Sequence, residues 1–156
     1  MVGFWTATKN NLVALISLVV AIVALTFNTE RANRTEFQRN IRDASFTMLR
    51  ELHQLQLLVD QAHYGWAVSE RAMPVNPIAG WVQVNYMDDL SEVIPPPVPQ
   101  AADKLHAIWE ANVNRLGVHQ HSSETQKAAS LESNGAISQQ IAATRQAINQ
   151  VLRSLE

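Results

Sequence analysis

The pattern of apolar and polar positions changes character once, close to residue 28. Residues 12–27 (LVALISLVVAIVALTF) form an uncharged run of sixteen positions. A membrane-spanning helix needs roughly 20 apolar residues, with a lower limit of about 17. The run is therefore expected to borrow Asn10 and Asn11 in the headgroup layer. Lys9 extends its stem along the membrane and keeps its ammonium wet, and Trp5 anchors at the interface. Arg31 and Arg34 mark the opposite edge. The nearest small-x-small triplet, Ala24-Leu25-Thr26, ends on a residue poorly suited to cleavage, so a retained anchor is expected rather than a leader. Ala14, Ser17, Ala21 and Ala24 recur at spacings of three, four and three and share one helical face. In lipid, small residues let two helix backbones approach closely. That face is expected to pack on another spanning helix, from a second copy or from a different subunit.

Past the anchor, apolar residues return with a helical period. Phe37, Ile41, Ala44, Met48, Leu52, Leu55, Val59 and Ala62 follow one another at steps of three and four, the mark of an amphipathic helix. No proline interrupts residues 11–72, so the spanning helix is predicted to continue to about Tyr64. The step from Ala24 to Phe37 turns about 220° around a helix, which points the small-residue face and this apolar stripe in different directions. Pro74 and Pro77 bound a loop, and Asn76 before Pro77 reads as a cap followed by proline at the first helical position. A second helix is predicted over residues 77–93, with Ile78, Val82, Met87, Leu90 and Ile94 to one side. Four prolines within residues 94–99 are expected to take an extended polyproline form. A third helix follows over residues 100–116, with Leu105, Ile108 or Trp109, Asn112 and Leu116 inward and Gly117 ending it. Residues 118–134 read as loop or solvated helix. Ile137, Ile141, Thr144 and Ile148 carry a last helix from about Ser123 to Leu155, with Asn134-Gly135 as a possible interruption. Residues 81–86 alternate briefly, but a lone strand has no sheet to join.

These elements give an all-α fold: a single N-terminal transmembrane helix continuing into an up-down four-helix bundle of two long and two short helices. Residues 1–28 form the tail and anchor, and residues 29–156 the soluble bundle. Its core is expected from Phe37, Ile41, Met48, Leu52, Leu55 and Val59, together with Leu105, Trp109, Ile141 and Ile148.

Charge adds direction rather than chemistry. Net charge is −2 from 12 basic and 14 acidic residues. With no dense basic face, nucleic acid is not an expected partner. Arg31, Arg34, Arg39 and Arg42 follow the anchor, and the positive-inside rule then favours a cytoplasmic bundle over a periplasmic or extracellular one. Cysteine is absent, which excludes thiolate metal sites and thiol nucleophiles. Asp60-x-x-His63 and Asp103-x-x-His106 have the spacing of dimetal bundles. Asp88, Asp89, Glu92, Glu124 or Glu132 would have to complete such a site. The up-down layout instead sets the two histidines about 20 Å apart. His119-x-His121 with Glu124 is expected to be a solvated loop. No serine sits in a nucleophile elbow, and the five glycines form no phosphate loop. No catalytic residue, metal or cofactor is expected. The sequence reads as an accessory or scaffolding subunit whose partners are membrane lipids and another transmembrane chain or further copies of itself. A second reading is a membrane-anchored sensor, with Tyr64, Trp66, Tyr86 and Asn112 lining a ligand cavity. A remote third is a metal-dependent bundle enzyme.

Overall fold

Unbroken backbone hydrogen bonding carries the first helix across the point where composition changes. In the computed structural model this helix, α1, spans Val2–Val68. It is followed by α2 (Pro77–Ser91), α3 (Val98–Asn112), a short 3-10 turn (Val113–Arg115) and α4 (Glu124–Ser154). The structure describes the backbone of residues 2–68, 76–118 and 121–155, and the side chains of residues 14–65, 76–118 and 121–155. The side chains of Trp5, Lys9 and Trp66, the loop around Pro74, and His119 lie outside the described residues. The chain divides into two compact units, Met1–Arg39 and Asn40–Glu156.

The second unit is an all-α, four-helix bundle. Its core is one apolar cluster drawn from the last part of α1 and from all three later helices. Ile41, Met48, Leu52, Leu55 and Val59 of α1 meet Val84 and Met87 of α2, Leu105 and Trp109 of α3, and Ile137, Ile141 and Ile148 of α4. All are buried. Burying such side chains is worth roughly 1.5–3 kcal/mol each before entropy is counted. Phe37 departs from this set. It continues the same stripe but is 62% exposed. Within the bundle, Arg42 Nη2 donates to the Leu155 carbonyl at 2.8 Å. The apolar rhythm of α1 thus runs on past its buried positions.

Helix ends follow local chemistry. Asn76 caps α2, its Oδ1 accepting from the Ile78 and Ala79 N–H groups at 3.0 and 3.4 Å, with proline opening the helix. Ser123 and Gln126 form a reciprocal capping box at the start of α4. Between α2 and α3 the three consecutive prolines do not extend. Residues 94–98 fold into a turn that includes a cis Pro96-Pro97 bond and is closed by the Val98 N–H donating to the Pro95 carbonyl at 3.4 Å. Two helices that share one core across so short a link must stay side by side, and an extended proline segment would carry them apart. The last helix runs without a break through Asn134-Gly135.

The buried side of α2 also differs from expectation. Ile78 and Val82 are 71% and 63% exposed, while Gly80, Val84, Met87 and Ser91 face inward. The cause is Trp109. A Cβ placed on Gly80 would lie 2.1 Å from its Cζ2. Only glycine lets the indole lie against the α2 backbone, and that contact selects the inward face. Trp81 flanks the site, its ring edge-on to Trp109 at 6.4 Å and to His106 at 5.4 Å.

Candidate functional site

Two regions bear on function, one in each compact unit. In the first, residues 14–27 of α1 expose apolar side chains on every side. Leu15, Ile16, Leu18, Val19, Val20, Ile22, Val23, Leu25 and Phe27 are 54–70% exposed. A helix that is apolar all round has no solvent face. Among the described residues α1 is the one helix long and apolar enough to cross a membrane, and none of its apolar window is buried. Its hydroxyls are turned back on the helix: Thr26 Oγ1 donates to the Ile22 carbonyl and Thr29 Oγ1 to the Leu25 carbonyl, both at 2.9 Å. Such bonds satisfy a hydroxyl where no water reaches. Ala14, Ser17, Ala21 and Ala24 lie along one side of this helix and are all exposed. At its far edge, Arg34 Nη2 donates to Glu30 Oε1 at 2.8 Å. Phe27, Glu30, Arg31, Arg34, Thr35 and Gln38 together line a shallow groove on one side of α1.

In the second unit, the chemistry-bearing side chains collect along the contact of α1 with α4. Gln56 Nε2 donates to Asp60 Oδ1 at 3.0 Å and to Ser138 Oγ at 2.8 Å. Asn134 Nδ2 donates to the same Asp60 oxygen at 3.2 Å and to the Val59 carbonyl at 3.3 Å. One step further, His63 Nδ1 and Ser130 Oγ are 2.9 Å apart. Ser130 Oγ donates its proton to the Leu116 carbonyl at 2.7 Å. That leaves its lone pair for His63, which must carry the proton on Nδ1. The chain His63, Ser130, Leu116 thereby satisfies a carbonyl just past the 3-10 turn, where helix ends leave acceptors without partners. Residues 56, 60 and 63 climb α1 as 138, 134 and 130 descend α4, so the seam is antiparallel.

A serine beside a histidine invites comparison with nucleophilic catalysis, and the geometry speaks against it here. Ser130 is fully buried and its proton is already given to a backbone carbonyl. Asp60, three residues before His63, is held by Gln56 and Asn134. Nor do the two aspartate–histidine pairs meet. His106 packs against Trp81 while Asp103 is exposed. Among the described residues no three histidine, aspartate or glutamate side chains converge to hold a metal ion. Glu124 pairs with Lys127 at 2.9 Å, and His121 is exposed. Among the described residues, the side chains expected at a sensor cavity do not assemble. Tyr64 and Tyr86 are exposed, and Asn112 Nδ2 donates to the Ile108 carbonyl of its own helix at 2.8 Å.

Ser130, Asn134 and Ser138 were not singled out from sequence, yet a signal exists. Stepping back from Ile137 by three and four reaches Asn134, Ser133 and Ser130, so polar residues occupy core positions of an unbroken stripe.

The chain matches no protein-family model, no curated protein and no solved structure.

Proposed function

We propose that this protein is a single-span membrane subunit that acts by binding other membrane proteins rather than by catalysis. The observation that carries the reading is the exposed apolar surface of residues 14–27, which water would penalise at roughly 25 cal/mol per Å². A bilayer removes that cost. Residues 1–28 then form the tail and anchor. The bundle stands on the cytoplasmic side, where Arg31, Arg34, Arg39 and Arg42 favour retention. The small side chains of Ala14, Ser17, Ala21 and Ala24 provide a close-packing face for a second spanning helix, from another subunit or another copy. The polar seam of the bundle supports a structural part for its histidine and serine, since each has a partner within the fold.

Two measurements test the reading at different levels. The full chain should float with phosphatidylcholine vesicles and resist extraction by carbonate; recovery in the aqueous layer would refute the anchor. Replacing Ala14, Ala21 and Ala24 together by leucine keeps hydrophobicity and insertion but fills the small-residue face. Loss of the co-purifying partner chain, or of the self-associated species, by at least ten-fold is expected. Assembly at the unaltered level would remove that face from the interaction.

A further inference from the structure

The four arginines that follow the anchor are not equivalent in their surroundings. Arg42 is committed to the Leu155 carbonyl. Arg34 is paired with Glu30. Arg39 lies twelve residues beyond Phe27, about 18 Å along the helix. Arg31 accepts from Thr35 Oγ1 through its backbone carbonyl, but its guanidinium has no hydrogen-bond or ion-pair partner among the described residues, is exposed, and lies only four residues past Phe27. That is about 6 Å, within a headgroup layer about 5 to 8 Å thick on each side of the hydrocarbon. Helical side chains tilt toward the N-terminus, so those of Arg31 and Arg34 lean back toward Phe27. The Arg34 guanidinium shows this by reaching Glu30 one turn earlier.

We propose that the groove formed by Phe27, Arg31, Arg34, Thr35 and Gln38 holds the phosphate of an anionic phospholipid at the edge of the bilayer, with Arg31 as its main ligand. This rests on the anchor reading above. The ligand chemistry is a phosphodiester. Guanidinium presents paired donors that match phosphate oxygens. Phe27 closes the groove on its apolar side, where the lipid chains continue. Within the groove, Glu30 and Arg34 cancel, which leaves the single positive charge of Arg31. A headgroup with net negative charge satisfies it, whereas a choline lipid brings a cation that must be placed elsewhere.

The test uses the full chain in nanodiscs made from equal parts of phosphatidylglycerol and phosphatidylcholine, with the lipids retained on the protein counted by native mass spectrometry. Phosphatidylglycerol should be enriched about five-fold over bulk, the factor one juxtamembrane arginine supplies. Arg31→Gln should bring retention to the bulk ratio, while Arg39→Gln leaves the enrichment in place. Equal retention of both lipids by the unaltered chain would overturn the assignment, as would enrichment that survives Arg31→Gln. Inorganic phosphate added in excess should not displace the retained lipid; displacement would mean that the groove takes a free anion instead. Flotation of both variants with pure phosphatidylcholine vesicles separates this proposal from the anchor reading. If neither floats, both fall. If both float without enrichment, only the lipid site does.

Discussion

At Gly80 the space where a side chain would begin is occupied by the ring of a neighbour. Trp109 is fully buried, and its indole N–H finds no hydrogen-bond partner among the described residues. Shape rather than hydrogen bonding therefore holds the ring. Its seat is the bare backbone of α2, with Trp81 edge-on beside it. A methyl group at Gly80 would fall 2.1 and 2.3 Å from Cζ2 and Cη2, and an indole is rigid and cannot bend its edge away. In an exposed helix, glycine to alanine gains up to about 1 kcal/mol of helix propensity. Here overpacking opposes it and dominates, because extra carbon in a filled core typically costs about 1–3 kcal/mol. With the clash at the severe end of that range, Gly80→Ala should lower the stability of the bundle by about 2 kcal/mol net. Denaturant titration followed by tryptophan fluorescence would measure it, and a variant as stable as the original would mean that Trp109 has room to move.

Between elements, the α1–α4 seam explains how two long helices find one register. Apolar stripes alone allow a helix to slide by a turn, since each slip presents another leucine or isoleucine. The polar pairs do not tolerate it. Asn134, buried at 7% exposure, donates to both the Val59 carbonyl and Asp60, and a slip of one turn would strand its amide, while Asp60 would keep only Gln56 from its own helix. Buried polar groups left unpaired cost about 1–3 kcal/mol. Asn134→Ala should thus destabilise the bundle by about 1–3 kcal/mol, read as a lower denaturation midpoint with an unchanged m-value. A loss below a few tenths would remove the seam as a register device. The sequence pattern reveals the helices and their apolar faces more readily than this pairing. Ile41, Met48 and Leu52 announce their side by spacing alone, because burial needs only a period. Met87 was legible, but the inward turn of Gly80 and Val84 was hidden: the α2 sequence is apolar on two sides, and the choice between them is made by Trp109 from another helix. Phe37 misleads for a related reason, since periodicity reports a face and not where its cover ends. Ser130 and Asn134 read as solvated because side chains of their type usually are. Their burial depends on partners far away in sequence.

For the molecule as a whole, the proposed anchor raises the matter of which side of a membrane the bundle would occupy, and the charge distribution gives a definite expectation. Before the apolar run stands Lys9; after it stand Arg31, Arg34, Arg39 and Arg42. Translocation disfavours Lys and Arg near a span, and nearby acids count for little. Glu30, Glu36 and Asp43 therefore do not offset the four arginines. An arginine held by Glu30 in the folded chain still counts, because orientation is decided during insertion, before the helix has settled into its final contacts. With the proposed cytoplasmic bundle, the same asymmetry would put the Arg31 groove at the leaflet where anionic lipids are commonly concentrated. Ser154, exposed near the end of α4, offers a reporter that disturbs nothing in the core, and the chain has no cysteine to compete. Ser154→Cys should resist a membrane-impermeant maleimide in intact cells and label fully after lysis. Moving the balance should invert the result: changing Arg31, Arg34 and Arg39 to glutamine while adding three lysines before residue 9 is expected to expose the cysteine to the outside. Labelling of the unaltered Ser154→Cys chain in intact cells would show that the bundle is exported despite its arginines.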